Sequence, residues 1–144
     1  MVAVAQHPNI QLMTMAEVVK VDGYIGNFKV TIKKRAKYVD WDLCTGCGTC
    51  MEKCPTKKIP DAFDMGMGQT TAVRMMYPQA VPGKPYIDAE HCTKLLNGKC
   101  GICEKVCPTK AIRYEDKEEL VSEDIGAIVM ATGFDLFEWE KAYG

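Results

Sequence analysis

Eight cysteines, gathered between Cys44 and Cys107, constrain this 144-residue chain more than any other feature. They fall into two copies of one motif. Tyr38 to Ile59 reads YVDWDLCTGCGTCMEKCPTKKI, and Tyr86 to Ile112 reads YIDAEHCTKLLNGKCGICEKVCPTKAI. Tyr38, Asp40 and Cys44 match Tyr86, Asp88 and Cys92 at an offset of 48 residues. From Cys47 onward the offset is 53: Cys47, Cys50, Cys54, Pro55, Thr56, Lys57 and Ile59 match Cys100, Cys103, Cys107, Pro108, Thr109, Lys110 and Ile112. The second copy is therefore longer by five residues, inserted between Cys92 and Cys100. A duplicated supersecondary unit predicts two halves related by a pseudo-twofold axis.

The first copy is C-x2-C-x2-C-x3-C-P, the spacing of bacterial two-cluster ferredoxins, whose fourth cysteine serves the other cluster. Reach explains the pattern. Three thiolates spaced by two residues wrap three corners of a cubane, and the fourth, a helical turn further on, points to the neighbouring cluster. Cluster one is thereby expected on Cys44, Cys47, Cys50 and Cys107, and cluster two on Cys92, Cys100, Cys103 and Cys54. Gly48 and Gly101 let the backbone approach a sulfur without a side-chain clash. Pro55 and Pro108 turn the chain away after the last ligand. Cys92 is the irregular ligand, because C-x7-C replaces C-x2-C. The shared Y-x-D lead-in marks it as the counterpart of Cys44, with Thr93 to Lys99 reshaping one face of cluster two.

Zinc takes four ligands, commonly as two separated C-x2-C pairs, which fits three cysteines at successive short spacings poorly. Disulfides are disfavoured in a reducing cytosol. His91 precedes Cys92, but eight cysteines already satisfy two clusters. The chain carries a formal charge of −1, without the basic excess of a nucleic-acid module. No apolar run reaches the length of a membrane span, and Met1 to Ile10 lacks the features of a secretory signal, so a cytoplasmic location is expected. No acid–base constellation stands out, and Gly66 to Thr71 lacks the third glycine of a dinucleotide fingerprint.

Outside the motifs, Glu17 to Asp22 and Asn27 to Arg35 read as strands joined by a turn at Gly23 to Gly26, since Phe28, Val30 and Ile32 alternate with polar residues. Pro60 to Pro85 reads as a long loop with a short helix near Thr71 to Met76. Its Met65, Met67, Met75 and Met76 are read as packing filler over the clusters. Glu115 to Glu123 reads as a solvated linker, and Ile125 to Gly133 (IGAIVMATG) as a buried strand of a parallel sheet.

Taken together, HPNI at His7 to Ile10, AEVVKVDGYIGNF, YVDWDLCTGCGTCMEKCP, YPQAVP at Tyr77 to Pro82, YIDAEHC and GAIVMATGFDLF resemble the A subunit of heterodisulfide reductase, an iron–sulfur flavoprotein family. The resemblance implies a ferredoxin-like domain inserted into a flavin domain. Residues 1–37 and 115–144 would then be β flanks of that domain around an inserted 38–114 unit. It implies FAD in the longer parent protein, with Thr132 and Gly133 near it, although the FAD fingerprint is expected upstream of this sequence. It also implies flavin-based electron bifurcation, with the flavin domain of the same polypeptide, other redox subunits and ferredoxin as partners.

The expected fold is α+β: a bacterial-type two-[4Fe–4S] ferredoxin-like domain flanked by β segments of a flavoprotein. The expected function is electron transfer within a larger flavoenzyme. Its rivals are a free-standing soluble two-cluster ferredoxin carrier and a zinc-stabilised interaction module.

Overall fold

A computed structural model describes residues 2–133. A short helix α1 (Val2–Ala5) precedes β1 (Ala16–Tyr24) and β2 (Asn27–Lys34), which pair antiparallel as a hairpin. Gly23 is obligatory here. Its φ is +100°, and a Cβ at this position would lie 2.2 Å from the Asn27 carbonyl oxygen. The expected alternation holds in β2, where Val30 is buried with Phe28 and Ile32 half-buried beside it.

Short helices and strands then build the cysteine-bearing lobe. They are α2 (Thr49–Glu52), β3 (Ile59–Pro60) paired with β4 (Gln69–Thr70), and β5 (Val73–Arg74) paired with β6 (Tyr86–Ile87). Helices α3 (Thr93–Asn97) and α4 (Ile102–Val106) follow. The lobe closes on itself through a bridge between Val39 and Ile112, flanked by the Asp40 N–H donating to the Ala111 carbonyl at 2.7 Å. Its core is small: Val39, Ile59, Ala72, Val73, Ile87, Ala111 and Ile112 pack with four of the cysteines.

The last strand, β7 (Glu119–Ile125), returns to pair antiparallel with β2, giving a three-stranded sheet in the order β1–β2–β7. This corrects two expectations. The charged stretch from Glu115 is not simply a linker, because Glu119 to Glu123 lies in a strand, two of whose acidic residues stand opposite lysines. Lys29 stands opposite Asp124 and Lys34 opposite Glu119, and Lys33 Nζ lies 2.8 Å from Glu118. The apolar run beyond Ile125 is not a buried strand. Gly126 to Gly133 carries no strand, Val129 is 90% exposed, and the sheet that ends at Ile125 is antiparallel. A run apolar on both faces needs a covering layer on each side, and the described residues supply none. Thr132 and Gly133 are likewise exposed. The FDLF part of the family signature and the rest of the C-terminal flank, residues 134–144, lie outside the described residues.

Two further readings of the middle segment change. Val73 and Arg74 form a strand rather than a helix, because the β6 edge offers them backbone partners. Met65 and Met67 are 71% and 87% exposed and Met76 is exposed too, so they are not filler; the methionine against the lobe core is Met51. Among the described residues no helix is long and apolar enough to cross a membrane.

Asp116 joins sheet to lobe. Its Oδ2 accepts the Lys37 and Tyr38 N–H groups at 2.8 and 3.1 Å, where the chain leaves β2 for the first motif. Replacing Asp116 with alanine is expected to lower stability by about 2 kcal/mol, the range for hydrogen bonds to a charged acceptor. Denaturant unfolding measures this, and an unmoved midpoint would show that the join contributes nothing.

Candidate metal centre

The local sequence places each thiol. Gly48, in the left-handed region at φ +79°, caps α2 and turns Cys50 inward, where it is buried. Gly101 starts α4 and sets Cys103 at the equivalent position, also buried. The five extra residues of the second motif are not an open loop. They build α3, which starts directly after Cys92 and ends at Gly98, left-handed at φ +75°. The Cys92 carbonyl accepts the Leu96 N–H at 2.9 Å, and Cys92 is buried.

Cys44, Cys47 and Cys50 line one cavity together with Cys107 from the far motif, against a wall that includes Val39 and Ile112. The remaining four thiols are not part of its lining. Cys92 and Cys100 are close enough to Cys103 for their charge to bear on it. The tail of the first motif reaches the head of the second through Thr56, whose Oγ1 is 3.0 Å from Thr93 Oγ1. Cys54, two residues before Thr56, is buried with its Sγ 3.5 Å from the Thr56 carbonyl oxygen. All eight thiols are free of disulfides.

The electrostatics follow burial. Burial pushes the Cys50 thiol up to about 11, with Cys44, Cys103, Cys107 and Cys47 adding like-charge repulsion. Burial also raises Cys103, partly offset by a hydrogen bond from Tyr114. The hydroxyl and backbone of Thr49 lower exposed Cys47. At Cys107 burial pushes up, but the Ala111 N–H, 3.3 Å from its Sγ, and Thr109 together leave it lowered. A metal binds the thiolate form, so loading a cation onto thiols raised in this way displaces their protons. The donor set fits a [4Fe–4S] cluster: four soft sulfur ligands from two motifs converge on one cavity, and backbone N–H groups of Gly46 and Ala111 point at Cys44 and Cys107 Sγ.

Sequence reasoning missed Tyr114. Its Oη lies 2.9 Å from Cys103 Sγ. Burial and that bond hold its phenol well above the usual tyrosine range, so it keeps its proton. The only advance signal was position, a few residues beyond the last ligand, and spacing rules do not cover it. His91 is not among the thiols. Its Nδ1 is 3.0 Å from Asp88 Oδ2, which also takes Arg74 at 2.8 Å. Arg74 neutralises Asp88 and so makes the trio of Asp88, Glu90 and His91 a poor cation site.

Residues 37–57 and 98–113 match the family described as 4Fe-4S binding domain. With the converging thiols, this defines a ferredoxin-type domain that binds [4Fe–4S] clusters and carries electrons. The likeness extends well past the motifs. The chain is 47% identical over 138 residues to the iron-sulfur A subunit of CoB–CoM heterodisulfide reductase from Methanocaldococcus jannaschii, across 96% of this chain and 20% of that protein. It is 46% identical, over the same shares, to the A subunit of H2:CoB-CoM heterodisulfide,ferredoxin reductase from Methanothermobacter thermautotrophicus. A protein of Archaeoglobus profundus described as like the heterodisulfide reductase A subunit is 43% identical, across 96% of this chain and 22% of that protein. The chain belongs to the A-subunit family of heterodisulfide reductases, and it spans about a fifth of the length of the curated relatives it matches.

Proposed function

We propose that this chain is the two-cluster electron relay of a heterodisulfide reductase A subunit, seated in a flavin domain of the same polypeptide. The observation that carries the reading is the convergence of Cys107 with Cys44, Cys47 and Cys50 on one cavity. By the same crossing, Cys54 joins Cys92, Cys100 and Cys103, which makes the two halves a pseudo-twofold pair. When bound, the clusters supply one-electron storage at potentials that the surrounding protein sets.

The chain's own residues do the rest. The thiolates hold the iron, the apolar wall of Val39 and Ile112 limits water, and the N–H groups of Gly46 and Ala111 stabilise charge on sulfur. Crossed ligation holds the clusters as neighbours, so an electron entering one side finds the second centre within the same small core. The sheet built from both flanks supports the assignment of 38–114 as a unit inserted into a host domain. The relatives' names point to a heterodisulfide of CoB and CoM and to ferredoxin as the parent enzyme's substrates. On this reading a flavin in the parent would supply the chemistry that splits electron pairs between those two acceptors, and the eight thiolates of this chain would hold the clusters that connect it to a neighbouring redox protein.

The test is iron and acid-labile sulfide per chain after anaerobic purification. About eight irons with matching sulfide are expected for two cubanes. About four would leave the irregular Cys92 motif empty, and zinc without sulfide would sink the reading.

A further inference from the structure

The two motifs present different surroundings to their sulfurs, which the repeat does not predict. At the second motif, Tyr114 Oη is 2.9 Å from Cys103 Sγ. A thiolate bound to iron carries no proton, so the phenol is the donor and the sulfur the acceptor. Around the other four thiols the side-chain hydroxyls stand farther off. Thr49 Oγ1 is 3.5 Å from Cys47 Sγ, and Thr109 Oγ1 is 3.6 Å from Cys107 Sγ. The residue matching Tyr114 at the offset of 53 is Asp61, whose carboxylate accepts the Phe63 N–H and offers no proton.

The inserted helix α3 adds a second asymmetry. Its Lys94 Nζ sits 5.6 Å from the centroid of the Tyr114 ring, a cation over the face of the aromatic that donates to the cluster ligand. The first motif lacks the residues that would build such a helix. A phenol donor and a positive charge thus meet at Cys103, where the first set of four draws instead on the N–H groups of Gly46 and Ala111 and the more distant hydroxyls of Thr49 and Thr109.

We propose that Tyr114, braced by Lys94, raises the reduction potential of the cluster held by Cys92, Cys100, Cys103 and Cys54, and of that cluster alone. The physics is direct. Reduction adds negative charge that spreads onto the thiolate sulfurs. A donor aimed at one sulfur, or a nearby cation, stabilises the reduced form more than the oxidised one. Tyr114 is a positioning residue in this scheme, since it touches the thiolate and not the iron. The inference rests on the crossed ligation proposed above.

The test is a redox titration of the anaerobic, cluster-loaded chain, followed by electron paramagnetic resonance, with Cys54→Ser used to assign the second cluster's signal. Tyr114→Phe keeps the ring and removes the donor. The assigned cluster is expected to become about tenfold harder to reduce, a shift of about 59 mV to the negative for a one-electron couple, while the other cluster stays put. Two unmoved potentials, or equal shifts in both, would overturn the proposal. Should Tyr114→Phe lose a cluster, Lys94→Gln decides. A smaller negative shift confined to the same signal upholds the proposal, and an unchanged or raised potential overturns it. About four irons in the unaltered chain would remove the crossed pair itself, and the inference with it. About eight irons with no shift in either variant would remove only the role of Tyr114.

Discussion

Cys54→Ser is expected to strip iron from the second motif and spare the first, although Cys54 belongs to the first motif in sequence. Cys44, Cys47 and Cys50 already share their cavity with Cys107, so that set of four is complete without it. Cys54 instead lies beside Thr56, which contacts Thr93 at the head of α3, next to Cys92. Serine is a hard oxygen donor and a poor replacement for a soft thiolate at iron. The iron content should fall from about eight to about four per chain. The signal that survives should be the one abolished by Cys107→Ser. If Cys54→Ser and Cys44→Ser instead abolish the same signal, the ligation is not crossed and each motif holds its own cluster.

Iron removal is expected to unfold the lobe from Tyr38 to Tyr114. Eleven buried residues make up its core, and four of them are the cysteines Cys50, Cys54, Cys92 and Cys103. The rest include two alanines, so little apolar surface remains once the sulfurs lose their cation. Binding free energy is folding free energy in such a domain. The loss should be comparable with the whole stability of a small domain, about 5 kcal/mol or more. Amide exchange before and after anaerobic chelation measures it, with Val73, Ile87 and Ile112 as reporters because all three are buried. Protection that persists at these amides in iron-free protein would show that the lobe folds on its apolar contacts alone.

Much of this was legible in the sequence, and the parts that were not share a cause. The β1–β2 hairpin was readable because Phe28, Val30 and Ile32 alternate with polar neighbours and Gly23 marks the turn. The gathering of Cys44, Cys47, Cys50 and Cys107 on one cavity was readable because ligand spacing is a covalent constraint, independent of tertiary context. Strand β7 was hidden because five of its seven residues are exposed and three are acidic, so periodicity had little apolar signal to detect. Its signature lay in a pairing between distant segments, with Lys29, Lys33 and Lys34 against Glu118, Glu119 and Asp124. Val73 and Arg74 escaped because a two-residue strand carries no period, and its reason to exist lies in β6. The apolar run after Ile125 misled in the opposite way, since hydrophobicity marks a demand for cover and not its fulfilment. Tyr114 follows no motif, and only three-dimensional proximity to Cys103 shows its use.

The register between β2 and β7 has a consequence for how such a chain can be assembled. Lys34 stands directly opposite Glu119, so the polypeptide leaves the sheet and returns to it at neighbouring positions. Everything between hangs from a gap that a tight turn could close. On the proposed reading of 38–114 as an inserted unit, the redox lobe is a cartridge, and exchanging it for another cofactor-bearing loop is expected to leave the β2–β7 hydrogen-bond ladder intact. Lys34 and Glu119 are accordingly the two points at which to cut for such an exchange.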